Sequence, residues 1–340
     1  MLCATYHRRF DVESVTCREQ WIFALAKIPE PQIADSWCRI SVDGCSPLCD
    51  DAENPFAFVV ALGWSAFGGI TIGLRVSILA SGSSGNLTLL ETERTCLLVD
   101  AGLGKRETLA RLAAVEKDID RLDGILISHE HADHCSGLPQ ALGLWKAPLY
   151  VTEPTMDALR RALPETLNKR LRGVETIHAG QPFTIGDIEV HAFAIPHDAA
   201  DPVAFTFRTN GTKVALVTDL GYLPEMVKVH LRGSDCLILE SNHDLDMLKV
   251  GPYPWVVKQR VLSRTGHLSN HAVSEYLADP EGFDGLAKYL VLAHISQENN
   301  NPDVAQICAE EALRRRPAEC AFAGELLVAS QQVPLRPLEL

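Results

Sequence analysis

The sequence predicts an α/β protein in which two β-sheets pack face to face with helices covering them outside. Three observations predict it. From Arg75 onward, short apolar runs rich in β-branched residues alternate with segments of helical spacing. Several of the runs form hairpins, and hairpins interleaved with helices are the pattern of stacked sheets under outer helices. The composition is globular, 46% hydrophobic and 22% charged, which excludes wholesale disorder, collagen and coiled coil. At 340 residues the chain has room for one large domain and an appendage.

In chain order, RVSILAS (75–81) is a strand, and 86–102 holds two strands joined at Glu93-Arg94. KRETLARLAAV (105–115) has helical spacing. DGILISH (123–129) is a buried strand, followed by a helix through Leu138 to Leu144. A strand at 148–152 and a helix at 154–163 come next. The strand at 188–195 precedes a hairpin over 203–219 that turns at Asn210-Gly211, a dipeptide suited to positive φ. CLILES (236–241) and KYLVLAH (288–294) are further strands with helices between them. A helix at 303–315 and a strand near 325–330 complete the pattern.

Residues 1–73 read differently, and the domain is expected to span 74–340. Pro29, Pro31 and Pro47 limit any helix in this leader to a short piece such as 21–28. Residues 55–74 carry no charge and are long enough to span a bilayer. Four glycines, a proline and the direct run into a strand argue against an anchor. The preferred expectation is a poorly ordered leader, translated from a start codon placed too far upstream. Cys38, Cys45 and Cys49 fit no zinc-finger spacing. The ten cysteines are scattered singly, which points to a reducing cytoplasm. A net charge of −13 excludes a generic polyanion binder, so any nucleic acid must be held locally.

The strongest signal is Ser128-His129-Glu130-His131-Ala132-Asp133-His134, directly after a buried strand. Packing alone does not explain that density of ionisable groups. If strand geometry continues, His129 and His131 point the same way and reach one metal. Asp133 and His134, past the bend, suit a second. Each remaining ligand should sit at a strand end, and His197, Asp219 and His294 do. An Asp between two metals can bridge them with its two oxygens. The expected sets are His129, His131, His197 and Asp219 for one ion, and Asp133, His134, His294 and Asp219 for the other. Nitrogen and oxygen donors without thiolate suit zinc, manganese or iron. Asp100, ending another strand, would orient a ligand histidine from behind, or it caps a turn.

H-x-H-x-D-H with these strand-end residues resembles the metallo-β-lactamase superfamily from Arg75 to about Ser330. The resemblance implies a four-layered αββα sandwich with a two-metal site between the sheet edges. Asp219 at its position resembles the phosphodiesterase branch. The text more closely resembles the WalJ/YycJ family of bacterial metallohydrolases, described as 5′→3′ DNA exonucleases. That similarity lies in Ser81-Gly82-Ser83-Ser84-Gly85-Asn86, PHDAADPVAF (196–205), TDLG (218–221), LESNHD (239–244), YPWVVKQRVLSRTGHLSN (253–270) and LAHIS (292–296). The leader has no counterpart in it.

The expected function is therefore two-metal hydrolysis of a phosphodiester, with DNA as substrate and DNA repair as setting. Asp133 and Asp219 serve catalysis through the metals, and His267 contacts the phosphate or acts as acid. The loop 81–86 offers N–H groups and the hydroxyls of Ser81, Ser83 and Ser84, with Asn86, to a phosphate, though a tight turn explains it equally well. Lys258, Arg260 and Arg264 hold a phosphodiester or form a solvated helix face. His243 and His271 are weaker candidates. The rivals are a small-molecule cyclic phosphodiesterase and a non-catalytic metal-binding scaffold. No stable protein partner is deducible.

Overall fold

The structure is a computed structural model that describes residues 73–163 and 167–340. The leader, except Gly73, lies outside the described residues, and with it the five cysteines before residue 50 and nearly all of 55–74. Among the described residues no helix is long and apolar enough to cross a membrane.

Continuous apolar runs form strands buried on both faces. In Tyr289–Ala293 every residue is buried, Val291 and Ala293 against the opposite sheet and Leu290 and Leu292 against helices. Strands of this kind build two seven-stranded sheets. The first contains β1 (Arg75–Ala80), β2 (Leu87–Glu91), β3 (Cys96–Val99), β4 (Gly124–Leu126), β5 (Leu149–Val151) and β6 (Val174–Thr176). The second contains β7 (Pro182–Ile185), β8 (Ile188–Ala194), β9 (Val203–Thr209), β10 (Thr212–Val217), β11 (Cys236–Glu240), β12 (Tyr289–Ala293) and β13 (Glu325–Val328). β14 (Leu338–Glu339) returns to pair with β1 in the first sheet.

Three apolar clusters define the layers. Val76, Ile78, Phe205, Phe207 and Val291 fill the space between the sheets. Ile125 and Leu149 meet Leu138 and Met156 of helices outside the first sheet. Leu237 and Leu290 meet Val273 and Ala309 of helices outside the second. The expected αββα sandwich is thus observed. Asn210 and Gly211, with φ of 49° and 86°, turn the β9–β10 hairpin as predicted.

Both sheets begin antiparallel and become parallel. The change falls at β3 in the first and at β10 in the second. β8 is antiparallel to β9 and β9 to β10, so β8 runs with β10. The carboxyl ends of β8, β10, β11 and β12 therefore share one edge, as do those of β3 and β4. The polar residues that follow these strands meet there.

Candidate metal centre

Asp100 follows β3, His129 and His131 follow β4, His197 follows β8, Asp219 follows β10, and His294 follows β12. Asp100, Asp219 and His294 have φ of 60°, 62° and 52°. Such a backbone costs a non-glycine residue about 1–3 kcal/mol and persists where surrounding structure enforces it. Here it bends three strand ends toward one point. Asp133 and His134 come from the short helix Ala132–Cys135. Asn86 N donates to the Asp133 carbonyl (2.8 Å) and Ala101 N to that of His134 (2.7 Å). Gly102 permits this approach, since a Cβ there would collide with the Asp133 carbonyl oxygen.

Two donor groups result. His131 Nδ1 lies 3.1 Å from His129 Nε2 and 3.2 Å from His197 Nε2. Tetrahedral ligands at the usual metal–nitrogen bond length stand about 3.3 Å apart, so these three fit one ion. In the second group Asp219 Oδ2 is 3.1 Å from His134 Nε2. Asp133 Oδ2 is 3.4 Å from His134 Nε2 and 3.3 Å from His294 Nε2. Asp219 Oδ1 is 4.0 Å from His197 Nε2, so this carboxylate faces both groups.

Hydrogen bonds behind the rings fix which nitrogen faces inward. His134 Nδ1 donates to Asp100 Oδ2 (2.8 Å), and His197 Nδ1 to the Gly266 carbonyl (3.1 Å). Asp100 thus stands where a histidine-orienting carboxylate was expected. With Nδ1 committed to Asp100, His134 turns Nε2 toward oxygens of Asp133 and Asp219. Asp219 Oδ2 is buried without a hydrogen bond. A buried nitrogen turned toward two carboxylates calls for positive charge between them, a proton or a metal cation.

The electrostatics differ between the two donor groups. Burial pushes the His129 imidazole well below its ordinary value, and neighbouring His134 adds to this. Burial also raises Asp133 and Asp219, but the surrounding histidines overcome it and hold both carboxyls low. Neutral imidazole and ionised carboxylate are the forms a metal needs. Burial opposes charge on His134 and His294, yet Asp100, Asp219 and Asp133 raise the first well above its ordinary value, and Asp219, Asp133 and Glu240 raise the second to about 10, so cation and proton compete for both rings.

Glu240, completely buried at the end of β11, was not anticipated as a site residue. Its Oε1 accepts from His267 Nδ1 (2.8 Å) and His294 Nδ1 (2.9 Å). Its Oε2 accepts from the N–H groups of Leu220 (3.0 Å) and Leu268 (3.1 Å). It is the counterpart, in the second sheet, of Asp100 in the first. The signal for it was a charged residue inside an apolar run. His267 joins Asp219, Glu240 and His294 in a third donor cluster.

Of the two readings of loop 81–86, the structure has the tight turn. Gly82 N binds Asn86 Oδ1, Ser84 N binds Gln331 Oε1, and Gly85 N binds the Gly82 carbonyl. Ser81 Oγ accepts from His294 N (2.8 Å), and Asn86 Nδ2 sits 3.0 Å from His134 Nε2. The loop is a tight turn that buttresses the centre, while Ser83 and Ser84 are exposed on it. Lys258 is not on a solvated face, because its ammonium is buried and donates to the Lys249 carbonyl (2.7 Å). Arg260 is exposed and pairs with Asp198, whose Oδ1 is 3.6 Å from His197 Nε2. Its helix, Trp255–Val261, ends before Arg264, which instead lies over the Tyr222 ring at 4.1 Å. His243 is buried beside β11, and His271 is exposed next to Glu275.

Stacked mixed sheets, outer helices and a His/Asp centre at their shared edge define a hydrolase of the metallo-β-lactamase fold. Residues 95–295 match the family model described as Beta-lactamase superfamily domain. Exodeoxyribonuclease YycJ of Bacillus anthracis is 36% identical over 267 residues, covering 78% of this chain and 98% of that protein. Exodeoxyribonuclease WalJ of Streptococcus pneumoniae is 36% identical over 241 residues, 69% of this chain and 87% of that one. The metallo-β-lactamase fold protein YhfI of Bacillus subtilis shares the fold at 19% identity and a TM-score of 0.57, over 77% of this chain and 99% of its own. The chain belongs to the metallo-β-lactamase superfamily, in the group that contains YycJ and WalJ.

Proposed function

We propose that the centre holds two divalent cations, zinc or manganese with iron as a further fit, and that the protein is a cytoplasmic 5′→3′ DNA exonuclease acting in DNA repair. The observation that carries this is Asp219, one carboxylate facing two complete donor groups. Relatives named exodeoxyribonucleases at 36% identity support the DNA substrate. The described cysteines are free, and burial pushes the Cys96, Cys135 and Cys236 thiols up to about 12, which makes them unreactive.

The ligands would be His129, His131 and His197 on one side and Asp133, His134 and His294 on the other, with Asp219 common to both. Cations held there supply charge stabilisation and lower the pKa of water at neutral pH. His267 is anchored through Nδ1 on Glu240, so its other nitrogen is left for the phosphate and for returning a proton to the leaving oxygen. Arg260, at the mouth beside His197, can exchange Asp198 for a phosphate.

The test is digestion of end-labelled single-stranded and duplex DNA after chelation and reloading with Mn²⁺ or Zn²⁺. Release of nucleotides from the 5′ end is expected. Turnover of bis-p-nitrophenyl phosphate with no attack on DNA would replace this reading with a small-molecule phosphodiesterase. Loss of turnover on both would leave a metal-binding scaffold.

Arginine substitutions sharpen the test. Arg260→Ala and Arg264→Ala should weaken DNA digestion and lower the salt slope by about 0.7 per lost phosphate contact on a single strand. Hydrolysis of bis-p-nitrophenyl phosphate should stay near wild type. His267→Ala should lower both activities. Equal loss on both substrates for the arginines would assign them a structural role.

The domain boundary is proposed at Leu74, which is buried and hydrogen-bonded to Leu340. A chain starting there should load metal and turn over substrate like the full chain. Aggregation or metal loss in the shorter chain alone would place the leader within the fold.

A further inference from the structure

Behind the metal centre lies a network of side-chain amides that none of the roles above uses. Ser241, Asn242, Asn270 and Asn300 are all buried. Ser241 Oγ donates to Asn270 Oδ1 (2.8 Å), and Asn270 Nδ2 donates to Asn300 Oδ1 (2.9 Å). Asn300 Nδ2 donates to the carbonyls of Ser241 (2.9 Å) and Asn242 (3.1 Å). Buried amides are tolerated when they are bonded in this way, and such a network makes the local structure rigid.

The network reaches the backbone of His294. That residue lies past the last pair of the β11–β12 ladder, Glu240 with Ala293. Side chains meet its peptide groups instead. Asn242 Nδ2 donates to the His294 carbonyl (2.9 Å), and Ser81 Oγ accepts from His294 N (2.8 Å). A carbonyl only accepts, so the nitrogen end of the Asn242 amide must face it. Asn242 is itself pinned through its main chain. Its N–H donates to the Leu268 carbonyl (2.9 Å), and its carbonyl accepts from Ser296 N (2.8 Å). A substitution of the side chain therefore loosens His294 and leaves these backbone links in place.

We propose that Asn242 is a positioning residue for the second donor group, holding the His294 backbone in the left-handed conformation that aims the imidazole at Asp133 and Asp219. The inference rests on the two-metal reading above and adds what fixes this ligand from the main-chain side. Glu240 holds the ring through Nδ1, but a ring still swings when the backbone that carries it relaxes. A φ of 52° in a residue with a Cβ persists only where its surroundings impose it, and Asn242 with Ser81 is what imposes it here. The group of His129, His131 and His197 is carried by β4 and β8, so it should not feel the change.

The experiment withdraws Zn²⁺ from the loaded, full-length protein with a graded chelator, and reads the affinity of each ion beside the Tm. Asn242→Leu keeps roughly the volume and loses the donor. Asn242→Asp keeps the shape and sets an oxygen against the carbonyl. Asn300→Ala cuts the network without touching His294, and Asp133→Ala marks which ion belongs to the His294 group. Both Asn242 variants should weaken that ion roughly 10–100-fold, the usual effect of removing a partner that orients a ligand, and leave the other as in wild type. Asn300→Ala should lower the Tm with both affinities unchanged. Wild-type affinity for both ions in a folded Asn242→Asp, or equal weakening of both ions, overturns the positioning role while the two-metal reading stands. Failure of both Asn242 variants to fold, with Asn300→Ala folded, would assign the residue to the fold and overturn it too. A wild type that holds a single ion would remove the two-metal reading and the proposal with it.

Discussion

Asp219→Ala is expected to lower phosphodiester turnover by at least about 10³-fold while the sandwich still folds. Charge stabilisation by bound metal contributes several kcal/mol to such reactions, and each 1.36 kcal/mol is tenfold in rate. Asp219 is the side chain through which both donor groups would share their ions. Its Oδ2 faces His134 and its Oδ1 faces His294, 3.1 and 3.2 Å away. Removing it leaves one group with three histidines and the other with Asp133, His134 and His294, neither connected to the other. The fold should survive because the residue sits beyond the end of β10, outside the apolar clusters between the layers. Asp219→Ala also relieves the backbone of a side chain at φ 62° only in part, so Asp219→Asn, which keeps the shape and removes the charge, is the companion variant. Circular dichroism, metal content and hydrolysis of bis-p-nitrophenyl phosphate decide it. A folded, two-metal variant with wild-type turnover would end the shared-ligand assignment.

The convergence of the seven candidate ligands was legible because most are rare residue types at strand ends, and strands such as KYLVLAH announce themselves by burial on both faces. The edge strands β6, β7 and β14 were not, being two to four residues long and partly exposed. Helical spacing was extended through Arg264, whereas the helix stops at Val261 and a turn follows. A lysine looks like a surface cation in any sequence, and only packing shows that Lys258 is sealed against the Lys249 carbonyl. The loop 81–86 has a composition that serves an anion site and a tight turn alike. Which of the two it makes depends on partners far along the chain, Asp133, His294 and Gln331.

Glu240→Ala should cost both stability and activity, and the two losses have separate causes. The carboxylate is completely buried and accepts four hydrogen bonds, two from imidazoles and two from backbone N–H groups. Burial opposes its charge, but His267 and His294 hold the carboxyl down at about 2. Alanine strands four buried donors, and breaking a buried charge network of this kind costs about 3–5 kcal/mol. For a domain of this size the Tm should fall by on the order of 10 °C. His294 then loses the bond that aims its ring, so metal content should drop, in line with the roughly 10–100-fold affinity losses seen when such orienting partners are removed. His267 loses its anchor, so turnover should fall further than the metal loss explains. Glu240→Gln keeps an acceptor and the volume, and should recover part of the stability but not the orientation of both rings. Differential scanning calorimetry, metal analysis and turnover at saturating Mn²⁺ separate the three effects. An alanine variant with unchanged Tm and full metal content would mean that His267 and His294 are held by something other than Glu240.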